Sequence, residues 1–216
     1  ELQNEKIDTI SDLQTMMVVK ERLQEVNETI NQYKQEGASM SIEDAASLLA
    51  YAQERYFSAI SWKQFFAMDG KKYVMDAKEL QQSCRQKISE GEERVQYVGF
   101  YVSSTQLLHI EEKIASAKKA EQAQEYALCL ITAAQAKADA NTIMSVLGVD
   151  NNAVDALLEG KKKAVERVIV ENTADGVFPI MGYSYYQYAN SLRDQDKYTA
   201  LLYWEYAMEM SDLQIY

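Results

Sequence analysis

Proline occurs once, histidine once and cysteine twice in 216 residues, and glycine only eight times. A chain so poor in proline and glycine lacks the turn chemistry of a β-protein. Ala, Leu, Glu, Gln and Lys are plentiful, and they favour helix. No apolar run approaches the roughly 20 residues that cross a bilayer, and no charged-then-apolar leader precedes a small-residue cleavage site. Positive charge is also short. Lys and Arg number 22 against 33 Asp and Glu, for a net charge of −11 and a pI near 4.7. That balance repels phosphate backbones and anionic headgroups, so no nucleic-acid partner is expected.

The same scarcity limits chemistry. His109 with Glu112 offers two ligands from one helix face, short of the three or four a zinc site needs. Cys84 and Cys129 lie in separate helix-like patterns, so their spacing indicates neither a disulfide framework nor a metal knuckle. Arg85 adjoins Cys84 but no histidine is placed to act as its base, and the residue reads as a buried, inert thiol. The glycines are scattered singly and make no phosphate loop, and Gly160-Lys161-Lys162-Lys163 reads as an exposed basic turn. Glu92-Glu93 and Glu111-Glu112 are adjacent acids about 100° apart on a helix, the pattern of a solvated face. No catalytic residue, metal or cofactor is therefore assigned. Asn27-Glu28-Thr29 is a formal glycosylation sequon, informative only in an exported protein.

What is present is helical periodicity. Met16, Val19, Leu23, Val26, Ile30 and Tyr33 alternate by three and four, the seam of a helix that should end at Gly37. Ser41 with Asp44 three residues on caps a second helix, whose apolar face of Ala45, Leu48, Leu49, Ala52, Tyr56 and Ala59 continues to about Met68. A third is expected over 73–102, with Glu79, Arg85, Lys87, Glu90, Glu92, Glu93 and Arg94 outward and a break or kink at Gly91 or Gly99. Ser103-Ser104 caps a fourth to about Lys119. An alanine-rich fifth spans 120–147 and is closed by Gly148, and Asp150 caps a sixth to about Thr173. Ala174-Asp175-Gly176-Val177-Phe178-Pro179 is the clearest breaker, followed by two short helices over 180–193 and 197–211.

The expected fold is all-α: irregular antiparallel helical hairpins, about seven or eight helices, forming a single helical domain over 1–216 with a possible sub-boundary near 174–179. The last hairpin carries Ala200-x3-Trp204-x2-Ala207, and Ala52-x3-Tyr56-x2-Ala59 repeats that spacing, so tetratricopeptide-like packing is expected at the C-terminal end. No period of about 34 residues links the two, and a regular solenoid is not.

That hairpin is also dense in aromatic rings. Tyr185, Tyr188 and Leu192 share a face, while Tyr183, Tyr186 and Asn190 point elsewhere. A core of amphipathic rings with hydroxyls at the rim is one reading; a partner surface of Tyr183, Tyr185, Tyr186, Tyr188, Tyr203 and Trp204 is the sharper one. The chain opens on Glu1 and stops on Ile215-Tyr216, and reads as part of something longer, with room for a membrane anchor beyond its aromatic end.

Three stretches carry a family resemblance: Ser61-Trp62-Lys63-Gln64-Phe65-Phe66 with Gly70-Lys71-Lys72-Tyr73; Glu92-Glu93-Arg94-Val95-Gln96-Tyr97-Val98; and Phe178-Pro179-Ile180-Met181-Gly182-Tyr183-Ser184-Tyr185-Tyr186 with Ala200-Leu201-Leu202-Tyr203 and Ser211-Asp212-Leu213. Together they resemble the helical C-terminal region of predicted archaeal Lon-like serine proteases. The resemblance implies an upstream Ser–Lys catalytic domain, a nearby membrane segment and an extracytoplasmic, membrane-associated setting. No residue here matches the catalytic motif. The expected function is then a non-catalytic interaction or scaffold module that binds its own protease domain or another protein. The alternatives are a free-standing helical enzyme using a carboxylate cluster, which requires buried acids of raised pKa in a cavity, and a structural envelope component that self-associates through the Met16 to Tyr33 seam.

Overall fold

The computed structural model describes residues 5–74 and 76–213, so Tyr216 and the aromatic terminus discussed above lie outside the described residues. Eight helices account for most of them: α1 Ile10–Glu36, α2 Ile42–Trp62, α3 Ala77–Val98, α4 Ser104–Gln122, α5 Tyr126–Val146, α6 Val154–Ala174, α7 Ile180–Leu192 and α8 Lys197–Ser211. The only strand-like pairing among the described residues is one isolated bridge between Thr9 and Lys72.

Local chemistry sets the ends. Ser41 Oγ accepts from the Asp44 N–H at 3.0 Å, and the Gln106 side chain accepts from the Ser103 N–H at 3.1 Å. Each satisfies an orphan donor of a first turn. Thr9 and Asp12 form a reciprocal capping box on α1. The other oxygen of Asp12, which is buried, accepts from the Ala67 N–H at 2.8 Å and pins the α2–α3 connection to the start of α1. Gly176, at φ +80°, turns the chain between α6 and α7, a left-handed conformation that costs glycine nothing. α3 starts only at Ala77, later than expected, and runs through Gly91 unbroken; the expected break falls at Gly99, its C-cap.

α5 is the hub, packed against α1, α3, α4 and α8. Ala133, Ala134, Ala136, Ala138 and Ala140 are all buried, and their short side chains let neighbours approach from every side. One apolar cluster gathers α1, α3, α4 and α5 around Leu13, Met17, Leu130 and Ile131. A second joins α6, α7 and α8 around Leu158, Val165, Leu201 and Trp204. Gln14, fully buried, ties α1 to α7 and α8: its amide donates to the Met210 carbonyl at 2.6 Å and accepts from the Met181 N–H at 3.0 Å.

Cys84 and Cys129 form a disulfide between α3 and α5. This overturns the expectation of separate thiols: a gap of 45 residues is erased when α3 folds back across α5. Lys87, expected outward, is completely buried. The stretch Gly160-Lys161-Lys162-Lys163 is interior to α6 rather than a turn, and Lys161 pairs with Glu205 at 2.6 Å. The Met16 to Tyr33 seam is occupied within the chain. Val19 is buried, Met16, Leu23, Val26 and Ile30 are half-buried, and α2 lies along α1. In α8, Ala200, Trp204 and Ala207 are all buried, as the nesting motif requires. In α2, Ala52 and Ala59 are buried but Tyr56 is 49% exposed, so there the same spacing holds no aromatic inside.

α7 crosses α8 at Gly182. A Cβ built there would fall on the Ser211 Oγ and lie 3.1 Å from the Ala207 carbonyl oxygen. Gly182→Ala is expected to lose about 1–3 kcal/mol through overpacking. Adding Ser211→Ala should restore part of that loss, and a urea titration showing purely additive effects would remove steric contact at this crossing as the cause.

Candidate functional site

The tyrosines of the last hairpin divide into those that converge and those that do not. α7 presents Tyr185 and Tyr188 three residues apart, and α8 presents Tyr203 and Tyr206 with the same spacing, so the four rings face one another where the helices pair. Tyr188 meets Tyr203 edge-on with centroids 4.5 Å apart. Tyr185 lies 5.8 Å from Tyr203 and 5.4 Å from Tyr206, and Tyr203 lies 5.6 Å from Tyr206. These are the offset and edge-to-face separations that aromatic pairs favour.

Three of those rings wall a hollow of about 300 Å³. Tyr185 and Tyr188 come from α7 and Tyr203 from α8; α1 adds Arg22, and α2 adds Arg55 and Trp62, with Val18 and Met181 on the floor and Ser184 at the side. Tyr188 is half exposed at the rim. Of the six residues expected on a partner surface, Tyr185, Tyr188 and Tyr203 line this hollow, and Tyr183, Tyr186 and Trp204 lie elsewhere. Tyr183 leans on Phe178 instead, at 5.4 Å, and the Tyr186 hydroxyl donates to Glu166 on α6. Trp204, expected on a partner surface, is completely buried in the second apolar cluster; its face of α8 is the one covered by α6 and α7.

The arginines and Trp62 were missed, although a signal existed. Arg22 stands one turn after Val18 on the inward side of α1. Arg55 stands between Ala52 and Ala59 on the inward side of α2, seven residues before Trp62. A cation on the apolar side of an amphipathic helix marks either a buried pair or a site.

Electrostatically the hollow has a cationic lining backed by acids. Arg22 donates to Glu25 at 3.0 Å, and Arg55 reaches the same Glu25 oxygen at 3.3 Å. The Arg55 guanidinium also lies 4.8 Å over the Tyr51 ring. Glu21 accepts from Gln135 at 2.6 Å through one oxygen. Its other oxygen stands 3.3 Å from Arg22 without hydrogen-bond alignment, and that oxygen and the Arg22 Nε are both left without a partner. Burial pushes the Glu21 carboxyl above its ordinary range. It does the same to the Tyr185 hydroxyl, with Glu21 adding to the effect. Burial opposes the Arg22 charge, but Glu21 and Glu25 more than offset it, and Arg22 stays firmly protonated.

A second set of charges runs behind the tyrosines, along α8. Lys87 bonds Glu90 at 2.9 Å and Glu209 at 3.1 Å, and Lys137 bonds the same two acids at 3.0 and 3.1 Å. Asn141 donates to Glu209, Ser145 to Glu205. Lys113 and Tyr206 both bond Asp139, at 2.6 Å each. For Glu90, burial would raise the carboxyl, but hydrogen bonds from Lys87 and Lys137 bring it down to about 2. A hollow of about 400 Å³ opens beside Glu90 and Lys137, with Tyr97 and Phe100 on its wall; those two charges are already committed to one another.

His109 and Glu112 are both exposed on α4. No group of three or more His, Cys, Asp or Glu among the described residues is arranged to hold a metal ion. No described helix is long and apolar enough to cross a membrane. Comparison with family models, with curated proteins and with solved structures finds no match.

Proposed function

We propose that this chain is a non-catalytic helical module that holds a protein partner in the tyrosine-lined groove between the α1–α2 and α7–α8 hairpins. The observation that carries the reading is the convergence of Tyr185, Tyr188, Tyr203, Trp62, Arg22 and Arg55 around one open hollow. Tyr, Trp and Arg are the three residue types that dominate binding energy at protein contacts, and they do so from pockets with a rim that excludes water. Four helices fix the wall, so little ordering entropy remains to oppose association.

The buried acids favour this reading over catalysis. A general acid needs a carboxyl that holds its proton near neutral pH, whereas Glu90 is held far below that range, and Glu205 and Glu209 are paired with Lys161 and with Lys87 and Lys137. Glu21 is pushed up by burial, but it is tied to Gln135 and does not line the hollow.

The module is proposed as the accessory region of a membrane-tethered Lon-like protease, working outside the reducing cytosol. The Cys84–Cys129 disulfide supports the compartment, because such bonds persist in oxidising surroundings. Two experiments test this. A photo-crosslinking amino acid at position 188 should give one partner adduct in the native cell, absent when the same group replaces Val170, which is 65% exposed elsewhere; equal labelling from both positions would dispose of the groove as a docking site. Sequencing the parent reading frame should find a Ser–Lys catalytic domain upstream, and a frame without one would end the protease assignment while leaving the groove intact.

A further inference from the structure

The groove reading leaves open what part of a partner enters it, and the lining answers in chemical terms. We propose that the hollow accepts an acidic side chain flanked by a flat apolar one, so that the partner docks through a Glu or Asp next to an aromatic residue. The inference rests on the groove being a docking site, as proposed above.

Charge complementarity selects the acid. Among the described residues the only charged groups on the wall are Arg22 and Arg55, in a chain whose net charge is −11. Their acidic partners, Glu21 and Glu25, do not belong to the wall. Glu25 uses one oxygen for both arginines, and one such contact leaves most of the five donors of the Arg55 guanidinium for an incoming group. A guanidinium carries five donors, and a carboxylate is the acceptor that matches their fork. Arg55 is one-third exposed, so it can turn toward an incoming carboxylate while Arg22 still holds Glu25.

Shape selects the flat group. Tyr188 and Tyr203 stand edge-on at 4.5 Å and, with Trp62 and Tyr185, offer ring faces and edges on the remaining wall. A volume of about 300 Å³ is at the low end of ligand pockets, which run from roughly 300 to 1,000 Å³. It suits one or two side chains and excludes a folded element. A cation would also be drawn to tyrosine faces, but here it would meet two arginines first.

Three short peptides separate these possibilities: acetyl-Phe-Glu-Phe-amide and its Gln and Lys counterparts, titrated into the whole chain labelled with nitrogen-15. Trp62 lines the hollow and Trp204 is in the core, so the two indole N–H signals report site and fold independently. The Glu peptide is expected to move the Trp62 signal and leave Trp204 in place, binding roughly ten-fold or more tightly than the Gln peptide, as a charge-assisted bond requires. Arg55→Gln should abolish that preference, bringing the affinity of the Glu peptide down to about that of the Gln peptide. Equal binding of Glu and Gln peptides would overturn the acidic specificity and leave the groove as a docking site. Tightest binding by the Lys peptide would overturn it in favour of a cation cage. No movement of Trp62 with any peptide at millimolar concentration would overturn the inference, and position-specific crosslinking at 188 would then decide separately whether the groove docks a partner at all.

Discussion

Replacing both Cys84 and Cys129 by alanine is expected to lower the free energy of unfolding by about 4 kcal/mol. The bond joins residues 45 apart, and a cross-link closing a loop of that size removes chain entropy from the unfolded state on that scale. Both sulfurs are fully buried between α3 and α5, so truncation also leaves a small void that adds to the loss. For a chain of this length the transition should move down by roughly 10 °C. Wild-type protein unfolded in the presence of reductant should refold to the stability of the double variant, and each single variant should match the double. A thiol assay on the denatured, unreduced protein offers the sharpest check: two free thiols there would mean the bond does not exist in the isolated protein and would withdraw the argument for an oxidising compartment.

Lys87→Met should cost about 3–5 kcal/mol, because it deletes one ammonium from a buried four-membered ion cluster. Lys87 has no exposure and bonds both Glu90 and Glu209, and without it Lys137 faces two carboxylates alone. The penalty is that of a stranded buried charge rather than the value of one salt bridge, so Lys87→Met with Glu209→Gln should be more stable than Lys87→Met by itself. The effect must also depend on pH in one direction. Glu90 titrates near 4.5 when unfolded and at about 2 in the fold. A depressed carboxyl contributes stability that is present above its unfolded pKa and disappears as pH falls through its folded pKa. The gap between wild type and Lys87→Met is therefore expected to be widest above pH 4.5 and to close towards pH 2. Urea titrations at pH 7 and pH 3 measure it, and a gap that widens in acid would show that this cluster is not what Lys87 supports.

The helices were legible because their signals are local. Ser41 and Ser103 mark N-caps by side-chain chemistry within three residues, and the breaker at 174–179 sets α7 and α8 almost to the residue. Gathering Tyr185, Tyr188 and Tyr203 was within reach for the same reason, since helical spacing puts them on facing sides of one hairpin. The α3 start and the turn expected at Gly160–Lys163 failed on local signals, whereas the pairing of Cys84 and the cover over Trp204 required knowing what lies across the helix. Lys87 falls in register with Cys84, Ile88 and Gly91, which are all buried, so the pattern already placed it inward. Only the arrival of Glu209 from α8, 122 residues away, makes a lysine tolerable there. Trp204 has the same aromatic character as Tyr203 beside it, and a helix buried on nearly every side does not announce which ring is covered.

The sequence by itself determined an all-helical chain, several of its helix caps, and an acidity that disfavours nucleic acid. These follow from intrinsic propensity, capping and charge, which act over a few residues or over the whole composition. The tertiary structure alone decided that Cys84 meets Cys129, that Lys87 is neutralised inside, and that Arg22 and Arg55 join the tyrosines around one hollow. Each of these is a meeting of residues far apart in the chain. Such meetings are selected by how helix faces pack and by the cost of burying charge without a partner, and no local pattern encodes them.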